Sequence, residues 1–291
     1  MRGDNPLKTK INNQNKTMKI LKIEEMSWKQ IDKLDRNKTI FFLPISPLEE
    51  HGPHLPVGTD LLTSQDAATE AIRVLNKKKP ELIFILMPSV PIGSCKFVSD
   101  FPGSISVSSK VVKEIIYSTA ESLAKHGFKY MVICSFHMAT AHLKGIYSAI
   151  KKIESRYDMR IAEPWGPYFY NNEVEKHEPK LGFDTKKEVH GGFRETSLMK
   201  YQYPYLVDES HKKLQSIYRD IKSARTFGKT FKQLGLNEGY IGSPARADAD
   251  YGRWFFGETV NTCVNSAIAL YEGKPLPSLP TNIKILMKSL F

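Results

Sequence analysis

Apolar and polar positions alternate along this chain with two different periods. Short apolar runs of strand length recur, and between them lie segments whose apolar residues repeat every three or four positions, as on one face of a helix. The predicted strands are 39–45, 82–87, 130–135 and about 160–162. The predicted helices are 61–75, 109–126, 139–157, one that follows Glu195, 210–223 and 251–272. This order predicts an α/β fold: a three-layer α/β/α sandwich with a mostly parallel central sheet.

Three segments fall outside this pattern. Residues 1–17 are rich in Asn and Lys, so we expect a disordered N-terminal extension, followed by a single domain over 18–291. Residues 165–188 mix aromatic and charged positions without a period, which predicts a long irregular excursion over the functional site. The tail from Gly273 contains several prolines and is expected to begin as an extended segment.

Composition and charge narrow the possible partners. No apolar run reaches the roughly 20 residues that cross a bilayer, and the N-terminus lacks a hydrophobic signal core, so we expect a cytoplasmic protein with no membrane partner. The formal net charge is +11, but the lysines are scattered and no nucleic-acid module is recognisable, so no nucleic-acid partner is expected. Cys95, Cys134 and Cys263 lack paired spacing and predict buried thiols.

Carboxylate and imidazole side chains are concentrated just after the first predicted strand, where residues 43–60 read LPISPLEEHGPHLPVGTD. Glu49 and His51 are two positions apart, so on an extended chain their side chains leave from the same side. The glycines and prolines that follow allow Asp60 to return to them. Carboxylate and imidazole donors at the end of a strand suit a borderline divalent ion such as zinc, and this interpretation is favoured over ordinary polar residues in a surface turn.

Two later segments can extend this site. His137 follows the third predicted strand at the same sheet edge as Glu49 and His51, although it can equally be a structural residue that caps the next helix. Residues 189–197 read VHGGFRETS, so a double glycine separates His190 from Glu195. The carboxylate of Glu195 can instead cap the helix that it begins.

These stretches resemble the signatures of the creatininase (creatinine amidohydrolase) family. Residues 49–60 are similar to the family's Glu-x-His-Gly-x-His-Leu-Pro stretch with its later Gly-Thr-Asp, and residues 190–197 to its His-(Ala/Gly)-Gly-x-x-Glu-Thr-Ser signature. Residues 101–106 (FPGSIS) and 247–253 (ADADYGR) resemble the family's Phe-Pro-Gly-Thr-Ile-Ser and Ala-x-x-x-x-Gly-Arg. The resemblance spans about residues 39–272, with the signatures in the expected order.

The resemblance implies a site with two divalent metal ions per subunit. Zinc is favoured for these ions, with manganese or iron as alternatives. His190 is implied as the acid/base group that moves a proton between the nucleophilic water and the leaving nitrogen. The subunits are expected to form a homo-oligomer, for which the family suggests a hexamer. The implied metal ligands are Glu49, His51, Asp60, which bridges the two ions, His137 and Glu195.

The chain departs from the family around the implied site. The usual Asn-Gly-His-Gly-Gly-Asn loop is SFHMAT at 135–140, which keeps His137 and loses the glycines and asparagines. Some relatives carry an acidic ligand where this chain has Ala139, so Glu195 is taken as the fifth ligand. Phe97 stands in a position that is usually polar, and an acidic residue before Glu-Thr-Ser is also replaced. We therefore expect a pocket that is more apolar than usual and binds creatinine poorly.

The leading functional prediction is a metal-dependent amidohydrolase. A metal-activated water would cleave a non-peptide C–N bond of a small-molecule substrate, such as a cyclic amide or a formamide. One alternative is a formylamino-pyrimidine deformylase of the same family. A second alternative is a non-catalytic metal-binding member whose altered His137 loop no longer supports turnover. The presence of His190 argues against this last alternative, because a non-catalytic protein has no need of a proton shuttle.

Overall fold

The computed structural model describes residues 19–221, 226 and 228–289. Within these residues the chain forms five strands and nine α-helices. The strands are β1 (Leu21–Lys22), β2 (Thr39–Pro44), β3 (Ile83–Leu86), β4 (Tyr130–Cys134) and β5 (Arg160–Ala162). The helices are α1 (Trp28–Asp32), α2 (Thr59–Lys78), α3 (Ser109–Ala124), α4 (Thr140–Glu154), α5 (Trp165–Tyr170), α6 (Glu173–His177), α7 (Phe193–Gln202), α8 (Ala249–Tyr271) and α9 (Thr281–Ser289). The disorder predicted for residues 1–17 lies outside the described residues.

The strands pair in parallel in the order β1-β3-β2-β4-β5. From β2 the chain passes through α2 to β3 on one side, and α3 then returns it to β4 on the other side of β2. The connections therefore diverge between β2 and β4. In open parallel sheets, ligands bind beyond the carboxyl ends of the strands at such a switch point.

Alternate residues of β2 face opposite helical layers. Ile40 and Phe42 pack in one apolar cluster with residues of α2 and α8, whereas Phe41 and Leu43 pack in a second cluster with residues of α3 and α4. Every residue of β2 is buried, as expected for a parallel strand with helices on both faces. The predicted three-layer α/β/α sandwich is confirmed.

The helix predicted over 210–223 is wrong for the residues that the structure describes. A 3-10 helix at Glu209–Lys213 is followed by irregular chain, and residues 222 and 223 lie outside the described part. The Ile217 N–H donates to the Gly242 carbonyl at 3.0 Å, and the Gly242 N–H donates back at 2.7 Å. Ile217 and Ile221 also pack against a separate apolar cluster. Long-range backbone pairing therefore replaces the helix.

The excursion is more ordered than the sequence predicts, and the tail continues into a helix. Residues 165–188 contain α5 and α6, so the prediction of a wholly irregular segment is wrong, and Val174 of α6 packs in the same cluster as Phe193 of α7. Residues 274–280 form neither helix nor strand, and α9 follows them, with Met287 packed in the cluster of α3 and α4. None of the described helices combines the length and apolar character that a bilayer-spanning helix needs.

Candidate metal centre

The loop after β2 brings Glu49, His51 and Asp60 together. The Glu49 N–H donates to the Val57 carbonyl at 2.8 Å, which closes the loop. Gly52 has a φ of +79°, a left-handed conformation in which the chain can turn sharply. The loop then leads into α2, so Asp60 lies in the first turn of that helix, with its Oδ1 3.3 Å from His51 Nε2.

The six candidate side chains form two groups of potential ligands. The first group is Glu49, Asp60 and His137, and the second is His51, His190 and Glu195, and within each group the ligand atoms lie within 4.8 Å of one another. Asp60 lies between the groups: its Oδ2 is 3.0 Å from His137 Nδ1, and its Oδ1 faces His51. One carboxylate oxygen therefore faces each group, a geometry suited to bridging two cations.

Backbone carbonyls determine which nitrogen each histidine can offer. One ring nitrogen donates its hydrogen to a carbonyl, so the other nitrogen carries a lone pair that faces the carboxylates when the ring is neutral. Metal-binding histidines are commonly oriented in this way by a carbonyl acceptor. The pairs are His51 Nδ1 with the Glu49 carbonyl at 2.9 Å, His190 Nε2 with the Glu50 carbonyl at 2.6 Å, and His137 Nε2 with the Ser94 carbonyl at 3.0 Å.

A buried chain of hydrogen bonds lies behind His137. The Ser94 N–H donates to His142 Nδ1 at 3.3 Å, so His142 Nε2 carries the hydrogen that is donated to Ser135 Oγ at 3.0 Å. Burial lowers the pKa of His142 well below its ordinary value, which keeps the ring neutral as this pattern requires. The chain continues from Ser135 Oγ to Ser46 Oγ at 3.4 Å, to Ser64 Oγ at 3.0 Å and to the Asp60 carbonyl at 2.7 Å.

The donor set fits divalent ions. Glu49 is fully buried, and neither a backbone N–H nor a hydroxyl donates to its carboxylate; its Oε2 lies 2.7 Å from His137 Nδ1. A buried carboxylate in this state is costly unless a positive charge balances it. Asp60 is buried beside it, and the facing imidazole nitrogens complete a mixture of oxygen and nitrogen donors that zinc, manganese or iron accepts.

The electrostatics of the site also favour positive charge. Burial lowers the pKa of His137, but the carboxylates of Glu49 and Asp60 outweigh this effect and raise it to about 10. Burial raises the pKa of Asp60, yet His51 and His137 hold it well below its ordinary value. The carboxylate of Asp60 therefore stays ionised and attracts positive charge, so protons on the imidazoles and a bound metal ion would compete for this site.

Two phenylalanines, which we call the aromatic wall, lie against both groups of candidate ligands. The Phe97 ring is parallel to the His137 ring, with centroids 6.2 Å apart, and meets the His190 ring edge-on at 5.7 Å. Phe231 also meets His190 edge-on, at 5.4 Å, and lies 5.2 Å from Phe97. Among the six candidates, the Glu195 side chain is the most exposed at 18%.

The structure brings all six predicted site residues together, and it bears on the alternatives for two of them. Ala139 is the N-cap of α4, so His137 does not cap that helix. Glu195 is shared: its Oε2 accepts the Gly191 N–H at 2.5 Å, while its Oε1 lies 3.9 Å from His51 Nε2. The roles assigned to the six residues stay predictions.

Sequence reasoning missed three contributors to the site. Ser94 acts through its backbone carbonyl, for which no side-chain pattern exists. Phe231 comes from an irregular segment far along the chain. His142 did carry a signal, because it lies on the buried face of α4 beside Leu143 and Ile146, where a lone histidine needs hydrogen-bond partners.

The sequence of this chain is similar to those of known proteins. The family model described as "Creatininase: Creatinine amidohydrolase" matches residues 24–267. Creatinine amidohydrolase of Pseudomonas putida is 24% identical over 200 residues, which cover 64% of this chain and 73% of that protein. Mycofactocin precursor peptide peptidase of Mycolicibacterium smegmatis (strain ATCC 700084 / mc(2)155) is 23% identical over 229 residues, which cover 77% and 82%.

Solved structures share the fold. A structure described as "Creatininase Mn" superposes with a TM-score of 0.65 at 20% identity, covering 88% of this chain and 100% of that one. A mutant creatininase of "Zn-Zn type" superposes with a TM-score of 0.63 at 20% identity, covering 88% and 99%.

Proposed function

Because this chain belongs to the creatininase family, we propose that it is a metal-dependent amidohydrolase that cleaves a non-peptide C–N bond, such as that of a cyclic amide or a formamide. The observation that carries this proposal is the pair of ligand groups that meet at Asp60, where the buried carboxylates of Glu49 and Asp60 face imidazole nitrogens. Without metal ions, only protonated imidazoles could balance these buried negative charges.

We assign each candidate ligand to one of two ions. Asp60 would bridge both ions, and His190 is kept apart as the acid/base group. When bound, two divalent ions polarise a carbonyl oxygen and lower the pKa of a water from 15.7 towards about 7. Zinc is the favoured ion, and manganese and iron remain alternatives. Glu49 and His137 would hold one ion, and His51 and Glu195 the other.

His190 is suited to proton transfer by the way its ring is anchored. Its Nε2 is fixed by the Glu50 carbonyl, and its Nδ1 lies 3.5 Å from Glu49 Oε1, at the side where the two groups meet. An imidazole held in this way can take a proton from the nucleophile and deliver it to the leaving nitrogen. Since His190 also belongs to the second ligand group, direct metal binding by His190 is the competing assignment.

Metal analysis of purified and reconstituted protein tests the proposal. The full chain is loaded with zinc, manganese or iron, and bound metal is counted by mass spectrometry. We expect about two ions per chain. His190→Ala is expected to keep both ions and lose turnover, whereas a loss of metal in this variant would make His190 a ligand. No metal in the reconstituted wild-type chain would overturn the proposal.

A panel of substrates then shows which type of C–N bond the metal-loaded chain cleaves. Cyclic amides, formamides and linear peptides are offered to the metal-loaded chain, and peptides are included because one relative is named as a peptidase. Formylamino-pyrimidines are included among the formamides. Turnover of cyclic amides or formamides supports the proposal. Cleavage of peptides alone would contradict the non-peptide assignment.

We also propose a domain organisation, a location and an oligomeric state for this chain. These are one domain over 18–291, a cytoplasmic location and a homo-oligomer, with a hexamer as the expected state. Light scattering of the purified chain measures the oligomeric state directly.

A further inference from the structure

We propose that the aromatic wall, Phe97 and Phe231, selects amides that carry a flat apolar group next to the scissile C–N bond. The inference rests on the proposed function, because it concerns which amides the metal centre accepts. Phe97 would contact this group directly, and the buried Phe231 would hold Phe97 in place.

The ring of Phe97 lies against both groups of candidate ligands. Its ring is parallel to that of His137, which belongs to the first ligand group, and edge-on to that of His190, which belongs to the second. Phe97 therefore spans the two groups. His137 and His190 are buried, whereas Phe97 is only half-buried and keeps part of its surface accessible beside them. A molecule that reaches both groups thus meets this ring.

The wall is held firmly in place. The Phe231 N–H donates to the Phe97 carbonyl at 2.6 Å, which ties the two segments together. Phe231 is 1% exposed and packs in a cluster with Leu236 and Ile241. The Ile241 N–H in turn donates to the His190 carbonyl at 2.7 Å. The same cluster and its backbone hydrogen bonds therefore hold both the aromatic wall and His190 in place. A binding surface that is already ordered loses little conformational entropy when a ligand binds.

The candidate ligand groups and the aromatic wall would interact with different parts of a substrate. The ligand groups offer carboxylates and imidazoles, which suit the carbonyl and nitrogen of an amide. The accessible phenyl ring of Phe97 offers no hydrogen bond, so a negatively charged substituent placed against it would lose water without compensation. An aryl or branched alkyl substituent would instead bury apolar surface against the Phe97 ring, which the buried Phe231 supports from behind. Small polar cyclic amides gain nothing from the wall.

Two hydroxamates test this role without requiring turnover. Both chelate a metal ion through the same two oxygens, but acetohydroxamate carries a methyl group and benzohydroxamate a phenyl ring. Their affinities for the zinc-loaded full chain are measured by calorimetry. We expect benzohydroxamate to bind about tenfold more tightly, a gain typical of one buried aromatic contact.

Variants at Phe97 test whether the preference for benzohydroxamate over acetohydroxamate comes from the aromatic wall. Phe97→Ala is expected to reduce the preference by about fivefold while acetohydroxamate affinity stays within about twofold. Phe97→Leu is expected to lie between this variant and wild type, and it carries the test if Phe97→Ala fails to fold. The matched control is Phe101→Ala, because Phe101 packs on the same apolar cluster but faces Lys232, with Nζ 4.7 Å from its ring centroid. The control is expected to keep the full preference.

The outcomes separate the wall from the metal centre. Equal binding of the two hydroxamates to the wild-type chain, or an unchanged preference in both Phe97 variants, overturns the inference and leaves the proposed function intact. A loss of preference in Phe101→Ala as large as in Phe97→Ala also overturns it, since any change in the cluster would then suffice. If neither hydroxamate binds the zinc-loaded chain, the proposed metal centre fails and the inference fails with it.

Discussion

Asp60 is the residue on which both ligand groups depend. Each of its carboxylate oxygens faces a histidine of a different group, at 3.3 Å from His51 and 3.0 Å from His137. We therefore predict that Asp60→Ala lowers bound zinc from about two ions per chain to less than one, because both ions lose a shared ligand. Mass spectrometry after equilibrium dialysis measures the change.

Asp66→Ala is the matched control for this prediction. Asp66 lies on the same helix, but its carboxylate accepts hydrogen bonds from Gln202 and from the Tyr203 hydroxyl rather than facing the site. Its zinc content should equal that of the wild-type chain. Retention of two ions by Asp60→Ala would refute the bridging role.

His142 acts on the site through Ser94, whose carbonyl orients His137. We predict that His142→Phe, which keeps an aromatic ring and removes both hydrogen bonds, weakens zinc binding about 10–100-fold, as is typical when the partners of metal ligands are lost. Competition with a chromogenic chelator measures the affinity. Ser135→Ala removes only the Nε2 partner of His142 and should have a smaller effect. An unchanged affinity in folded His142→Phe would contradict the prediction.

At the residue scale, local sequence predicts side chains that act as ligands and misses groups that act through the backbone. Glu49 and His51 stand out because their chemistry and spacing are visible in one short stretch. Ser94 leaves no such mark, since a carbonyl is common to every residue. Phe231 reaches His190 only after the chain has folded through long-range pairing, for which the sequence around it holds no period.

At the element scale, one arginine joins α6 to α7. Arg194 donates to Glu175 at 2.9 Å and to Glu178 at 3.2 Å, and its side chain is only 11% exposed. We predict that Arg194→Met lowers the free energy of unfolding by about 3 kcal/mol or more, because two mostly buried carboxylates lose their partner. Urea denaturation measures this loss. Limited proteolysis should also show faster cleavage within residues 165–188.

Arg253→Met serves as the control for this ion pair. Arg253 pairs with Asp250 at 3.2 Å, but the two side chains are 67% and 83% exposed. Exposed pairs of this kind contribute little to stability, so no measurable loss is expected. Equal unfolding curves for Arg194→Met and Arg253→Met would show that Arg194 does not hold the excursion.

Elements with a strong period are predicted well, and elements set by distant partners are not. The apolar face of α4 repeats at helical spacing over its whole length, and its predicted bounds differ from the observed ones by only a few residues. The segment after Glu209 has apolar residues at positions that also suit a helix. There, backbone pairing of Ile217 with Gly242 favours extended chain, and nothing near Ile217 in the sequence reveals that partner.

At the scale of the whole molecule, Glu163 couples stability to pH. It lies just after β5, where burial raises its pKa from 4.5 to about 7, although hydrogen bonds from Tyr147 and the backbone of Gly166 oppose the shift. Between these pH values the folded chain binds more protons than the unfolded one. Glu163 therefore lowers the free energy of unfolding as pH rises from about 4.5 to 7, by about 3 kcal/mol in total.

Glu163→Gln is predicted to remove the loss of unfolding free energy that accompanies the rise in pH. The glutamine carbonyl can still accept the N–H groups of Trp165 and Gly166, and its amide can donate to the Tyr147 hydroxyl, which in the wild-type chain donates to Glu163 Oε2. The variant should be more stable than wild type at about pH 8 and close to it at about pH 5, as measured by urea unfolding. The exposed Glu81→Gln should follow wild type at both pH values. A variant that kept the wild-type pH dependence would contradict the prediction.

The overall architecture follows from repeated patterns, so the sequence predicts it better than any single boundary. Apolar strands that alternate with amphipathic helices leave few arrangements other than a parallel sheet between two helical layers. The edge of that sheet is harder to predict. β1 is only two residues long, too short to show a period, and it is defined by its pairing with Ile85 and Leu86 of β3.

The spread of candidate ligands along the chain has a consequence for synthesis. Glu49, His51 and Asp60 leave the ribosome early, whereas His190 and Glu195 follow only after most of the sheet has been made. At typical rates this interval lasts on the order of ten seconds. In the proposed metal centre, a nascent chain would present Glu49, His51 and Asp60 for this interval without His190 and Glu195. The ions available when residues 190–195 fold, rather than those met earlier in translation, would then determine which metal the complete site first takes up.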